Sequence, residues 1–219
     1  MPRDDLPDFA TLASLPNAGL DALALTLAAE FRSTDIAGAL DRLDELAAEL
    51  TEARANSPEE QAEACRRLLG EQEGFTGNRD DYGHPDNSML DLVLARRTGL
   101  PILLSVVYVE VARRAGIPLQ GVGLPGHYVV GHFRTEPPLL LDPFAGGNAY
   151  TPPSGVSLRP WTPHQTSLRM LNNLAGTYAM RGDIRRAIRA AQLRLLLPLD
   201  ERTRDKMSLE LKRLEARLN

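Results

Sequence analysis

Hydrophobic positions in the first third of the chain recur at helical spacing. A Leu- and Ala-rich segment covers residues 20–31, and a polar break follows it. Apolar residues then return with the 3.6-residue period of an α-helix, at Ile36, Leu40, Leu43, Ala47 and Leu50. This pattern predicts an N-terminal helical region, which we assign to residues 1–73.

A capping signature predicts where the next helix begins. Ser57 stands at the N-cap position, Pro58 at the first helical position and Glu60 at the capping-box position. We expect a helix from here to about Glu73.

A loop and a buried helix are predicted in the middle of the chain. The segment GFTGNRDDYGHPDNS lacks apolar periodicity, and either Asn87 or Ser88 is expected to cap a short helix through Arg97. Pro101 begins a longer helix that runs to about Ala115. Its central turns are apolar nearly all round, which is typical of a helix buried within a domain.

Three short strands are predicted after that helix, over residues 119–123, 128–133 and 139–142. The RTEPP connection between the last two suits an antiparallel hairpin. A buried helix packed on a small antiparallel sheet is an α+β arrangement, and we assign this core to residues 74–150.

The remainder is predicted to be a linker, 151–163, followed by a helical tail, 164–219. The linker is rich in Pro, Ser and Gly, with Trp161 near its end, and we expect it to pack against another part of the chain. Small and aromatic residues of the tail match the helix contacts of a tetratricopeptide repeat at Leu174, Gly176, Tyr178, Gly182, Asp183, Ala187 and Ala191. Arg194 and Pro198 depart from that pattern. One repeat and a capping helix over residues 203–218 are expected to lean on the preceding domain.

Composition narrows the class of protein. The chain has 219 residues, 43% of them hydrophobic, enough for one sizeable core. The formal net charge is −4, which argues against a dedicated nucleic-acid binder. From Arg181 onward, eleven Lys or Arg residues face six Asp or Glu, a local +5 that leaves −9 on the rest. We interpret this basic tail as the solvated face of a helix pair.

Cysteine usage and the N-terminus predict a soluble, cytoplasmic protein. Cys65 is the single cysteine and lies in a charged helical segment without metal-binding neighbours, so we expect no catalytic role for it. The acidic, proline-bearing start does not resemble a signal peptide. No apolar run approaches the roughly 18–20 residues that cross a bilayer, so no membrane partner is expected.

Three residues could form a reactive site. His127 and Asp142 lie on neighbouring predicted strands, where an aspartate can fix the imidazole tautomer as in papain-like enzymes. Ser105 lies in the buried helix. The functional interpretation makes Ser105 the nucleophile, His127 its base and Asp142 the orienting group. The alternative is a core hydroxyl bonded to the Pro101 carbonyl, four residues back, and we prefer it.

Linked motifs around these residues carry a family resemblance. The stretch NSMLDLVLARRTGLPILLSVVYVEVARRAGIPLQGVGLPGHYVVGHF, followed by LLLDPFAGG, resembles the transglutaminase-like core of a widespread bacterial family with a tetratricopeptide-repeat tail, the SirB type. The resemblance covers about residues 68–199. It implies a papain/transglutaminase-like core between N-terminal helices and a repeat-like helical hairpin. A related domain in some eukaryotic F-box proteins implies an association with protein handling.

The resemblance also implies where a nucleophile would stand. Active members begin the central helix with Gly-x-Cys and close it with a Gly-Ile-Pro-like turn. Aligning Gly116-Ile117-Pro118 on that turn puts Gly99-Leu100-Pro101 on Gly-x-Cys, so Pro101 occupies the nucleophile position. Proline has no thiol or hydroxyl, and cysteine chemistry is therefore excluded in this register.

Few other side chains are candidates for binding a ligand or a metal ion. Tyr82, Asn78 and Asn87 could cap a pocket at His127, although helix capping is the preferred role for Asn87. His127 and His132 are five apart, so one strand would point them to opposite faces. No metal-ligand spacing or phosphate-binding glycine motif is present, and we expect no metal or other cofactor.

Three functional hypotheses follow. The first is a non-catalytic or weakly catalytic transglutaminase-like protein whose His127–Asp142 pocket binds a peptide or protein. The second is an amide-directed hydrolase or acyltransferase that uses Ser105, His127 and Asp142. The third is a structural adaptor with a vestigial pocket, in which only the exposed helix pair around Arg185 and Arg189 binds a partner.

Overall fold

The computed structural model describes residues 6–218 and contains helices packed with a small sheet. The α-helices among these residues are α1 (Phe9–Ser14), α2 (Leu20–Ala29), α3 (Ile36–Glu52), α4 (Pro58–Cys65), α5 (Leu90–Arg96), α6 (Pro101–Arg114), α7 (Pro163–Met180), α8 (Ile184–Arg194) and α9 (Glu201–Glu215). The strands are β1 (Thr76–Gly77), β2 (Thr98–Gly99), β3 (Leu119–Leu124), β4 (His127–His132), β5 (Leu139–Asp142) and β6 (Asn148–Ala149). Short 3₁₀ segments cover Pro85–Ser88 and Pro143–Ala145.

The N-terminal helices form where the periodicity predicts them. Helix α3 buries Leu43, Ala47 and Leu50, and it leaves Ile36 and Leu40 partly exposed at its first turns. At the start of α4, the Glu60 amide donates to the Ser57 hydroxyl while the Glu60 carboxylate accepts from the Ser57 amide. The predicted capping box is therefore confirmed. This helix continues through a π-helical segment, Arg66–Gln72, so it ends close to the predicted position.

The prediction that Asn87 or Ser88 caps the short helix is wrong. Both residues belong to the 3₁₀ segment before α5, and the N-cap of α5 is Met89, which makes no side-chain capping bond. The physical reason is that the Asn87 side chain is buried and bonds inside the preceding loop. The helix itself forms and ends at Arg96, one residue before the predicted end, and its C-cap Arg97 adopts a left-handed conformation with φ 57°.

The predicted α+β core is present. Strands β3, β4, β5 and β6 form an antiparallel sheet in that order, and β3 and β4 are joined by a two-residue turn. Helix α6 packs against β3 and β4 and is buried on nearly every side, as its apolar sequence predicts. The sequence analysis missed β6 and the parallel pair of β1 with β2, because two-residue strands carry no measurable alternation.

The segment after the sheet packs as expected. Trp161 donates its backbone amide to the Gly121 carbonyl at 2.9 Å, and its indole lies against Gly123, where an added Cβ would come within 2.1 Å of the ring. Helices α7 and α8, joined by residues 181–183, pack along each other as an antiparallel hairpin. Their assignment as a tetratricopeptide repeat stays a prediction.

One hydrophobic cluster joins nearly the whole described chain. It extends from Phe9 in α1, through Leu103 in α6, to Leu174 in α7 and Leu197 after α8. A smaller cluster covers the other face of the sheet, where Val156 from the linker packs. The predicted domain boundaries at 73, 150 and 163 therefore do not separate hydrophobic cores, and they remain a sequence-based division. Among the described residues, every helix is too short or too polar to cross a membrane.

Candidate functional site

His127 and Asp142 meet where β4 begins and β5 ends, at one end of the two inner strands of the sheet. The Nε2 atom of His127 lies 2.9 Å from Oδ2 of Asp142, and the two side chains are 22% and 14% exposed. Because the carboxylate can only accept, Nε2 carries the proton in this pair. Nδ1 of His127 is then the ring atom left to bond a ligand.

Local backbone geometry brings the two side chains together. His127 begins β4 directly after the Pro125-Gly126 turn, in which Gly126 has a φ of 70°, a value that L side chains rarely adopt. Asp142 ends β5, and its second oxygen, Oδ1, accepts the Phe144 amide at 3.0 Å. This bond fixes the carboxylate and leaves Oδ2 for the histidine.

Aromatic rings surround the His127 imidazole. The Tyr150 ring lies 5.5 Å from it, and the Phe144 ring lies edge-on at 6.4 Å, centroid to centroid. Tyr82 packs edge-on against Phe144 at 5.9 Å and is 51% exposed. Tyr82, one of the three residues that the sequence analysis suggested could cap a pocket at His127, therefore lies at the outer rim of these rings. We name this set, His127, Asp142, Phe144, Tyr150 and Tyr82, the His127 pocket, after the ligand-binding role that the sequence analysis suggested for it.

The loop that carries Tyr82 is held by two asparagines. The Asn78 amide donates to Oδ1 of Asn87 at 3.0 Å, and the Asn87 amide donates to the carbonyls of Asp81 and Tyr82 at 2.7 and 3.2 Å. Asn87 is fully buried. The two asparagines therefore position the rim, while Tyr82 faces solvent.

Candidate nucleophiles do not contact His127. Ser105 is fully buried in α6, and its hydroxyl has no hydrogen-bond partner, neither His127 nor the Pro101 carbonyl that we expected it to bond. Pro101 is the first residue of α6 and offers no reactive group. Burial raises the pKa of the Cys65 thiol to about 12, so this thiol stays protonated at neutral pH. The catalytic role of Ser105 stays a prediction without a supporting contact.

Two arginines lie beside the pocket, and the sequence analysis passed over both. Arg169 of α7 donates from Nη1 to the Leu124 carbonyl at 2.8 Å, and Leu124 is paired with His127 in the sheet. The guanidinium carbon of Arg79 lies 5.1 Å from the centroid of the Phe144 ring. An isolated arginine has no motif, so only the fold identifies these two as neighbours of the histidine.

The described residues contain no cluster of three His, Cys, Asp or Glu side chains that could hold a metal ion. His132, on the opposite face of β4 from His127, bonds Gln61 in the interior at 2.8 Å. His84 bonds within its own loop, where its ring accepts the Asp86 amide.

Comparison with known families decides the classification of this fold. The sequence model of the transglutaminase-like superfamily matches residues 37–172. This range is more than half of the chain and includes every residue of the His127 pocket. The chain belongs to the transglutaminase-like superfamily. This agrees with the transglutaminase-like core expected from the sequence motifs; the SirB type and the tetratricopeptide tail are finer assignments that the match does not reach.

Similar curated proteins are longer than this chain. A UPF0162 protein of Xylella fastidiosa is 38% identical over 65% of this chain and 58% of its own length. A UPF0162 protein of Pseudomonas aeruginosa is 40% identical over 64% of this chain and 52% of its own length. F-box only protein 21 of Mus musculus is 43% identical over 31% of this chain and 11% of its own length. No solved structure matches the chain.

Proposed function

We propose that this chain is a non-catalytic or weakly catalytic transglutaminase-like protein whose His127 pocket binds a peptide or protein segment. One observation carries the proposal: a hydrogen-bonded histidine–aspartate pair at 2.9 Å lies among partly exposed aromatic rings, and among the described residues no Ser, Thr or Cys side chain is hydrogen-bonded to this histidine. Nucleophilic catalysis needs a nucleophile about 2.6–3.2 Å from its base. The same imidazole can instead bond a peptide amide or carbonyl, and the rings can contact apolar side chains.

The tail supports a macromolecular ligand over a small molecule. In this proposal the α7–α8 hairpin is repeat-like and extends the contact surface beyond the pocket, because Arg185 and Arg189 lie exposed on α8. The similarity to an F-box protein over 68 residues favours a protein partner as well. The proposal also includes membership of the SirB type of the family and a cytoplasmic location. Cell fractionation would test the location.

Partner capture by tagged variants tests the proposal. His127→Ala and Asp142→Ala should each lose the proteins that wild type captures, because either change removes the oriented imidazole. His164→Ala is the matched control, since the Nε2 atom of His164 has no hydrogen-bond partner and its loss breaks no such bond. The measurement is quantitative mass spectrometry of captured proteins, with circular dichroism to verify the fold of each variant.

Two results would contradict this function. Capture that survives in the pocket variants, and falls only when Arg185 or Arg189 is changed, would favour a structural adaptor. Labelling of wild type by a serine-reactive probe, with loss of the label in Ser105→Ala, would favour a hydrolase or acyltransferase.

A further inference from the structure

We propose that the His127 pocket selects an acidic partner segment, with Arg169 and Arg79 as the residues that bind its carboxylate. This inference rests on the proposed function and adds the chemical class of the ligand. The group that the arginines would bind is a carboxylate next to an apolar or aromatic residue. It can come from a Glu or Asp side chain or from a chain terminus.

The position of Arg169 supports the proposal first. Its guanidinium carbon lies 5.7 Å from the ring centroids of both Tyr128 and Trp161, and Nη1 donates to the Leu124 carbonyl at 2.8 Å. Leu124 stands opposite His127 in the antiparallel ladder, and Cα atoms of such pairs are about 4.5–5.5 Å apart. Arg169 therefore holds the strand end that leads into the turn before His127, and the Tyr82 side chain of the pocket rim is near enough to interact with its charge.

The charge of Arg169 has no counter-ion in the part of the chain that the structure describes. No carboxylate oxygen among residues 6–218 lies within 4.0 Å of its guanidinium, although the side chain is partly buried. Burial lowers the pKa of Arg169, and its described partners are the Leu124 carbonyl and two aromatic rings, none of which carries a negative charge. Partly buried charges are normally paired, because removing them from water is costly. An anionic ligand would supply the missing partner.

Arg79 provides a second cation on the Phe144 side of the pocket. Its guanidinium carbon is 5.1 Å from the Phe144 centroid, and Phe144 also contacts His127 and Tyr82. Asp80 and Asp81 follow it in sequence, yet among the described residues no carboxylate is in ion-pair contact with Arg79. Arg79 is exposed, so by itself it attracts an anion only weakly.

Arg169 and Arg79 lie in an acidic part of the chain. Residues before Arg181 carry a net −9, and several arginines there bind carboxylates, as Arg66 does with Glu63 and Arg114 with Asp21. Guanidinium groups bind carboxylates through paired hydrogen bonds, and the exposed Tyr82 ring offers an apolar surface next to them. An acidic segment with a neighbouring apolar residue fits both features.

Fluorescence anisotropy with three matched peptides tests the inference. Each carries an N-terminal fluorophore and one Phe in an Ala and Ser background. The first has Glu beside Phe and an amidated C-terminus, the second replaces Glu with Gln, and the third keeps Gln but has a free C-terminal carboxylate. We expect wild type to bind the Glu peptide about tenfold or more tightly than the amidated Gln peptide. The third peptide reveals whether a terminal carboxylate suffices.

Charge-matched variants assign the effect to the pocket. Arg169→Gln should remove most of the preference for Glu, and Arg79→Gln should reduce it. Arg181→Gln is the control, because Arg181 is an exposed cation about 18 Å along α7 from Arg169 and should leave the preference unchanged. Arg169→Lys keeps the charge and should retain part of the preference, which separates charge loss from misfolding.

The outcomes distinguish this inference from the function on which it rests. If wild type binds Glu and Gln peptides equally, and His127→Ala weakens both, the acidic class is overturned and the peptide pocket stands. If His127→Ala leaves every affinity unchanged, the proposed function is overturned as well. If Arg181→Gln lowers the Glu preference as much as Arg169→Gln, the effect is general charge and the inference is overturned.

Discussion

Two histidines on one strand differ in burial, since His127 is partly exposed and His132 is fully buried. Their spacing allowed us to predict only that they lie on opposite faces. His127 and His132 both lie on β4, and their separation of five residues predicted opposite faces. The sequence could not show that His132 would be fully buried and bonded to Gln61, because a contact across 71 positions depends on the packing of α4 against the sheet. The same limit explains the error at Asn87, whose bonds follow from a buried loop.

The buried His132 predicts a pH dependence of stability. Burial lowers the pKa of His132, and the neighbouring Arg134 lowers it further. The folded state thus binds this proton less readily than the unfolded chain, whose histidine pKa is about 6.5. Stability from this group is complete above pH 6.5 and falls as the pH drops from there toward the lower folded pKa.

Urea unfolding at a series of pH values measures this effect. Wild type should lose unfolding free energy between pH 6.5 and 5 because protonation places a hydrogen on Nδ1, where the Arg134 amide donates at 3.4 Å. His132→Gln should flatten this part of the profile. His84→Gln is the control, since His84 lies in a loop and is partly exposed. An equal slope in wild type and His132→Gln would contradict the assignment.

At the scale of elements, local signals predicted most helices and strands. The capping box of α4, the proline at the start of α6 and the β3–β5 strands follow from patterns within a few residues. Local sequence patterns did not predict the π-helical segment 66–72, which makes a close contact with a distant part of the chain. There Gly70 approaches the Gly146 carbonyl so closely that an added Cβ would lie 1.9 Å from the oxygen.

A pair of glycine substitutions tests whether Gly70 is held in a close contact while Gly176 is free of one. Gly176 lies inside α7, and an added Cβ would meet nothing within 4 Å. Gly176→Ala should therefore raise the free energy of unfolding by about 0.5–1 kcal/mol through helix propensity. Gly70→Ala should lower it, since the methyl group would force α4 and its π-helical extension away from the turn after β5. Denaturant titration measures both, and stabilisation by Gly70→Ala would show that this contact is looser than described.

At the scale of the whole molecule, the hydrophobic cluster connects parts that the sequence suggested treating separately. Periodicity identifies which face of each helix is apolar but not which partner covers it. Helix α7 illustrates this point. Its Met170, Leu171 and Leu174 are fully buried with residues of α2 and α6, while Arg169 on the same helix reaches the strand end beside His127. The tail therefore contacts the end of β3 that leads into the turn before His127.

This shared core predicts one cooperative unfolding transition for the described chain. Trp161 is the only tryptophan, so its fluorescence reports on the sheet and the linker, whereas far-ultraviolet circular dichroism reports on all helices. The two signals should change together in wild type.

Leu103→Ala in α6 and Leu174→Ala in α7 should each lower the free energy of unfolding by about 2–5 kcal/mol, because both side chains are fully buried. Since one cluster contains both residues, each variant should shift both signals by the same amount. If Leu174→Ala moved the helical signal to lower denaturant and left Trp161 unchanged, the tail would be an independent unit, and Arg169 could not hold the pocket in the way that the fold indicates.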